Sequence, residues 1–231
     1  MDEENKTLLA EFARGGELIF DNAEQLYREA RILRDHGALS RALCLHQLSN
    51  EECGKLEILG GYAMTITLGD NVDPAQMAKT FRDHEAKNYA NAYFAGLTDE
   101  ERAARECGDW AGSSKAFKEL QAKLHKIFNT NKNASLYVNF EGGKFSAPKE
   151  IITADLVDEM AELNEYFLGI TAPYMKLLHR VASNEFGLQD AARKFVERMQ
   201  ELRAQQPNDP EGALHRCLQE MLESVKARRE K

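Results

Sequence analysis

The residues that most constrain this chain are Ser49-Asn50-Glu51-Glu52-Cys53-Gly54-Lys55, in the middle of a long helical segment. Stepped at alternating intervals of four and three, the surrounding positions read Leu45, Ser49, Glu52, Leu56, Leu59, Ala63 and Ile66. That spacing is the stripe of a helix packed against other helices, and it places Glu52 inside the stripe. Glu51 falls beside it, four residues before Lys55, in the order that suits an exposed helical ion pair. A carboxylate in a packed stripe is costly unless a cation or several donors meet it. The segment Phe81-Arg82-Asp83-His84-Glu85-Ala86-Lys87 supplies them, with His84 and Lys87 three apart on one helix face. The expected arrangement is Glu52 facing His84 and Lys87 from an antiparallel neighbouring helix, joined by the short connection around Asp70–Pro74. The alternative is a core histidine held by packing, since His84 shares its face with Met77, Phe81 and Asn88.

A chain of 231 residues can bury one good-sized core. Its five prolines and long stretches of Ala, Leu, Glu, Lys, Arg, Gln and Met argue for a mostly helical fold. A net charge of −8 argues against a broad nucleic-acid footprint, though a small basic pocket could still engage a few phosphates. Cys44, Cys53, Cys107 and Cys217 form no C-x-x-C pair, and the acidic start Met1-Asp2-Glu3-Glu4 is unlike a secretory leader. Reduced thiols and a cytoplasmic location are expected. The uncharged run from Ile58 to Gly69 is too short to span a bilayer.

Helices are predicted at 4–13, 16–36, 38–67, 74–95, 99–107, 114–130, 154–183, 188–205 and 210–229. Gly37 suits a helix C-cap, Asp73-Pro74 a capped helix start, and Thr98 to Glu101 a capping box. Thr153 caps the helix that follows it. Pro173 should kink or end that helix. The segment Ser135 to Ser146 alternates β-formers around Gly142-Gly143 and reads as a short hairpin. Alone such a hairpin is marginal, so Leu136, Val138 and Phe140 are expected to pack on the bundle. Residues 1–183 would form the helical domain and 184–231 a helical extension.

Other chemistries find little support. A di-metal carboxylate site in a bundle uses Glu-x-x-His pairs, and none of the six histidines has Glu three residues before it. There is no Walker-type loop and no G-x-S-x-G elbow. Arg-x4-His occurs as Arg31…His36 and Arg41…His46. The first reads as the cationic end of a helix, and the second as a half-buried pair beside the Glu52 face.

Arg41-Ala42-Leu43 through Asn50-Glu51-Glu52-Cys53-Gly54-Lys55, then Phe81 to Lys87, resembles the AbiV family of bacterial abortive-infection proteins. Asn133 to Phe140, followed by Pro148 and the helix start at Thr153, is similar to that family's second landmark. The likeness covers roughly residues 16–180. It implies the HEPN superfamily: an all-α bundle of long antiparallel helices, here with one hairpin insertion. Such proteins often dimerise and often act as metal-independent RNases in phage defence or toxin systems, so the resemblance implies an abortive-infection effector that is an RNase or a translation-blocking toxin. Carried onto this chain, the resemblance makes His84 the acid–base group and Lys87, with Arg82 or Lys55, the phosphate contacts. Glu52 would orient His84 or Lys87, or hold the core together. The superfamily's usual Arg-x4-6-His does not end at His84. The resemblance further implies a homodimer, RNA as substrate, a phage-encoded activator as candidate partner, and neither cofactor nor metal. The contrasting reading is a non-catalytic helical protein that acts by binding a phage or host protein.

Overall fold

The two helices predicted at 4–13 and 16–36 are one, continuous through Gly15 and Gly16. In the computed structural model, which describes residues 3–205 together with Cys217 and Glu220, α1 runs unbroken over Glu3–Asp35. A Cβ on Gly16 would come within 3.1 Å of Leu178 Cδ1, so the bare backbone lets another helix lie close instead of ending this one. Gly37 takes φ 75 in the turn to α2, Leu39–Thr67, as the C-cap reading expects. Asp73 caps α3, Pro74–Arg82, and Asp83 caps a separate α4, His84–Asn91. Thr98 and Glu101 form the expected capping box on α5, Asp99–Glu106. The sixth helix, α6, is longer than predicted, Trp110–Leu136.

A two-stranded antiparallel hairpin follows, β1 over Asn139–Glu141 and β2 over Lys144–Ser146. A single turn α7, Pro148–Ile151, leads into α8, Ala154–Ala182, which Thr153 caps. Pro173 does not end α8: the helix carries on to Ala182. A 3-10 turn over Glu185–Gly187 joins it to α9, Leu188–Gln205. The helix predicted over 210–229 lies outside the described residues. The architecture is an all-α bundle with long helices and one small hairpin.

The centre of the bundle is α2, which packs against α1, α8, α4 and α6. One cluster joins Leu43, Cys53, Phe128, Val157 and Phe167, and another joins Leu9, Phe12, Leu56, Leu59, Ile66 and Leu178. Phe128 and Phe167 have no exposed surface, and burying each contributes roughly 1.5–3 kcal/mol. From Ala42 to Gly54 the buried set of α2 includes His46, Gln47, Ser49, Asn50 and Glu51. Along this stretch only the line of Leu45, Leu48 and Glu52 is part-exposed, so the buried polar residues depend on neighbouring helices for partners.

The hairpin differs from expectation in its packing. Gly142 and Gly143, at φ 59 and 80, make the tip as predicted. Val138 and Phe140 do not lie on the bundle; they are 63% and 60% exposed. Phe140 instead stacks across the strands on Phe145, ring centroids 4.7 Å apart. This cross-strand pair shields each ring with the other, which a two-stranded ribbon can do without a bundle beneath it.

Candidate functional site

The carboxylate that meets His84 is that of Glu51, not Glu52. The Glu51 side chain is 3% exposed, with Oε2 lying 2.5 Å from His84 Nδ1 and 2.8 Å from Lys87 Nζ. Its other oxygen, Oε1, accepts from Lys132 Nζ at 2.6 Å. Glu52 lies on the rim and pairs with Lys55 at 2.6 Å. The expected roles of the two neighbours are thus exchanged. The alternating stripe follows the face of α2 that Ser49 and Leu56 share, but α4 and α6 cover a second face, which carries Asn50, Glu51 and Gly54.

Gly54 is what brings that second face into contact. A Cβ there would stand 2.3 Å from the carbonyl oxygen of Lys87, so only glycine admits the α4 backbone. Asn91 Nδ2 donates to the Asn50 carbonyl at 2.8 Å. His84, Lys87 and Asn91 of α4 thus meet Asn50, Glu51 and Gly54 within about one turn of α2. The Asp83 side chain accepts from the backbone N–H groups of Glu85 and Ala86, starting α4 so that His84 and Lys87 both reach Glu51.

Burial by itself would raise the pKa of Glu51. The hydrogen bonds from Lys132, Lys87 and His84 outweigh it and leave the group below its ordinary value, hence ionised. Lys87 and Lys132 have side chains only 7% and 10% exposed, whereas His84 is 56% exposed. One buried carboxylate faces two buried ammonium groups, so the cluster carries a net positive charge that opens to solvent at His84. A carboxylate only accepts, so Nδ1 of His84 is the donor to Glu51, and Nε2 remains for the open edge of the ring. Among the described residues this is a histidine oriented by a carboxylate, with an imidazole nitrogen available for proton transfer and positive charge behind it.

The other predicted residues sit around this centre. Lys87 uses its ammonium on Glu51 and is buried, so it stands behind His84 rather than beside it. Arg82 is exposed, at the end of α3 and two residues from His84. Lys55 is engaged by Glu52. Lys132 was not foreseen: it lies in Asn129-Thr130-Asn131-Lys132-Asn133, a polar run on α6, and only its contact with Glu51 shows that it belongs to the site. His46 is fully buried and bonds Asn164, and Arg41 is exposed, so that motif pair does not build a site. No group of three or more His, Cys, Asp or Glu side chains fit to hold a metal occurs among the described residues.

The HEPN_AbiV family model, described as AbiV, matches residues 11–169. The chain belongs to the AbiV family. The match runs from within α1 to the middle of α8 and takes in Glu51, His84, Lys87 and Lys132, while α9 lies beyond it. Over 111 residues this AbiV chain is 33% identical to "Uncharacterized protein y4gJ" of Sinorhizobium fredii (strain NBRC 101917 / NGR234), covering 48% of this chain and 58% of that protein. It therefore spans somewhat more than half of that relative's length. No solved structure matches the chain. Among the described residues no helix is long and apolar enough to cross a membrane.

Proposed function

We propose that this AbiV protein is a phage-defence effector that cleaves RNA without a metal ion, with His84 as its acid–base group. The observation that carries the reading is the Glu51–His84 pair. A buried, ionised carboxylate fixes one imidazole nitrogen and leaves the other exposed above two buried cations. In RNA cleavage of this type the 2′-hydroxyl attacks the adjacent phosphorus and the 5′-oxygen leaves, giving a 2′,3′-cyclic phosphate and a 5′-hydroxyl. Nε2 of His84 takes the proton from the 2′-hydroxyl or returns one to the leaving oxygen. The positive field of Lys87 and Lys132 favours the developing phosphorane charge, and exposed Arg82 is placed to contact a phosphate. Glu51, Lys87 and Lys132 position and charge the site; Glu52 and Lys55 flank it.

Expression of wild type beside His84→Ala, with sequencing of cellular RNA ends and assay of the purified proteins in excess chelator, tests the reading. Cyclic-phosphate ends that depend on His84 and persist in chelator support it. Equal phage protection by the two proteins defeats it. The second reading, action through a protein partner in a homodimer or with a phage product, is favoured by the exposed hairpin, where Tyr137, Val138, Phe140 and Phe145 are 60% to 76% exposed.

A further inference from the structure

The outward face of α6 is charged unlike the rest of the chain. The helix carries five lysines and a single acid, Glu119, in a chain with 38 acidic residues against 30 Lys and Arg. Lys132 turns inward to Glu51, and Lys115 is shared with Glu119 at 3.8 Å. Lys118, Lys123 and Lys126 are exposed and make no ion pair among the described residues. Stepped by fours and threes, positions 118, 122, 126, 129 and 133 read Lys, Ala, Lys, Asn, Asn. They share one helix face, roughly 22 Å long at the usual helical rise.

That face runs into a cavity. Where the chain leaves α6 for the hairpin, Asn129, Thr130, Asn133, Tyr137 and Asn139 line a space of ≈ 410 Å³, and no charged side chain is among its lining residues. The side chains of Asn129, Thr130 and Asn133 make no hydrogen bond among the described residues. Asn139 Oδ1 accepts from the Phe140 N–H at 2.9 Å, so its amide still has hydrogens to donate. The Tyr137 ring is 62% exposed. Carboxamides donate and accept in one plane, and an exposed aromatic ring offers a stacking surface. A planar, uncharged heterocycle with donors and acceptors along its edge fits such a site, and a nucleobase has that chemistry. The uncommitted ammonium groups ahead of the cavity fit the phosphates of the same strand.

We propose that the outward face of α6 holds RNA as a single strand, with phosphates on Lys118, Lys123 and Lys126 and one base in the cavity beside Tyr137. The proposal rests on the reading of the Glu51–His84 cluster as an RNA-cleaving centre, which Lys132 joins to this end of α6. A chain of net charge −8 can engage a polyanion in this way because its positive charge is gathered on one helix face. A duplex pairs its base edges and leaves the cavity empty. An acidic protein segment would meet the lysines but has no use for a stacking ring among carboxamides.

The test is fluorescence anisotropy of a short labelled single-stranded RNA with the His84→Ala protein, so that cleavage does not enter the measurement, over a series of salt concentrations. Micromolar binding that weakens with salt is expected. Lys118→Gln combined with Lys126→Gln should weaken it about ten-fold and lower the salt slope by roughly 1.4, about 0.7 for each phosphate contact. Asn133→Leu should weaken binding with the salt slope unchanged, because a base contact is lost and no phosphate contact is. These three positions are exposed, so urea midpoints should stay where they are. Lys176→Gln, exposed on α8, is the control and should bind as well as its parent. Absence of binding at micromolar concentration overturns the proposal, as does equal binding of the duplex of the same sequence. Competition by polyglutamate as strong as by unlabelled RNA overturns it too. So does an affinity indifferent to the lysine pair or to Asn133→Leu, or lowered as much by Lys176→Gln. Cleavage is read separately in wild type: a chain that binds along α6 but leaves RNA intact counts against the nuclease reading alone.

Discussion

His84 Nδ1 lies 2.5 Å from Glu51 Oε2, yet the two side chains occupy opposite environments, one 56% and the other 3% exposed. The contact is where a buried charge network reaches the surface, and it separates two adjacent glutamates by function. Glu51→Ala leaves Lys87 and Lys132 buried without their counter-ion and should cost about 3–5 kcal/mol of stability. Glu52→Ala removes a part-buried pair with Lys55, 15% and 21% exposed, and leaves one cation unpaired where it can still turn to solvent, so it should cost clearly less than Glu51→Ala. Urea unfolding of both variants checks the assignment; the reverse order of effects would restore Glu52 to the core.

Lys132 and Glu51 should behave as a coupled pair. Lys132→Met leaves Glu51 with Lys87 and His84 only, and Glu51→Gln leaves the two lysines short of a charge. Combining the changes removes one buried cation and the buried anion together, so the double variant should be less destabilised than the sum of the singles. Coupling of roughly 1–3 kcal/mol in a double-mutant cycle is expected. Additive effects would show that the 2.6 Å contact carries little energy.

The sequence made much of the fold legible. Asp73, Thr98 and Thr153 each cap a helix because their side chains have the geometry to accept from the first turn, and Gly142-Gly143 marks the tip of the hairpin. The site was half legible. His84 and Lys87 converge on one glutamate as their spacing allows, but the glutamate was misplaced by one residue. A stripe of alternating fours and threes selects one buried face, and α2 has more than one. The pointer to the second was Gly54, three residues after Glu51 on the same side, where a missing side chain signals close backbone approach. Lys132 had no local signal, because its burial depends on α6 crossing a helix some eighty positions earlier in the chain. The hairpin failed for a different reason: alternation reveals an apolar side without saying what covers it.

Acid should act on the core through Glu51. Its folded pKa is depressed below the ordinary value of 4.5, so its contribution is present above that value and lost as pH falls through the folded pKa. Glu51→Gln has no such group to protonate. The stability gap between wild type and Glu51→Gln should be widest above pH 4.5 and narrow progressively below it. Chemical denaturation across a pH series measures this, and a gap independent of pH would mean that the carboxylate is not held ionised by its three donors.

Val138→Asp should leave the fold nearly as stable as wild type, since the side chain is 63% exposed and no charge becomes buried. A change within about 0.5 kcal/mol is expected for such a surface position. If the apolar hairpin joins two copies of the chain, Phe145→Asp should lower the mass measured in solution at micromolar concentration while the helical circular dichroism stays unchanged. A monomeric wild type, or a dimer indifferent to Phe145→Asp, would remove the hairpin from the dimer contact.

Rate and stability should separate among three side chains of the site, His84, Arg82 and Lys87. His84→Ala removes an exposed imidazole and leaves Glu51 bonded to both lysines, so unfolding should change by on the order of 1 kcal/mol. RNA cleavage should nonetheless fall by at least roughly 10²-fold, the usual cost of losing an acid–base group. Arg82→Ala, at an exposed position, should raise KM or lower the rate with no loss of stability. Lys87→Ala should do both kinds of damage, because its ammonium lies 2.8 Å from Glu51 within the core and also charges the site from behind. Measuring cleavage and urea midpoints on the same three preparations distinguishes these roles. If Lys87→Ala were silent in stability but lost activity in full, Lys87 would contact the phosphate itself and the buried network would have to open when RNA binds.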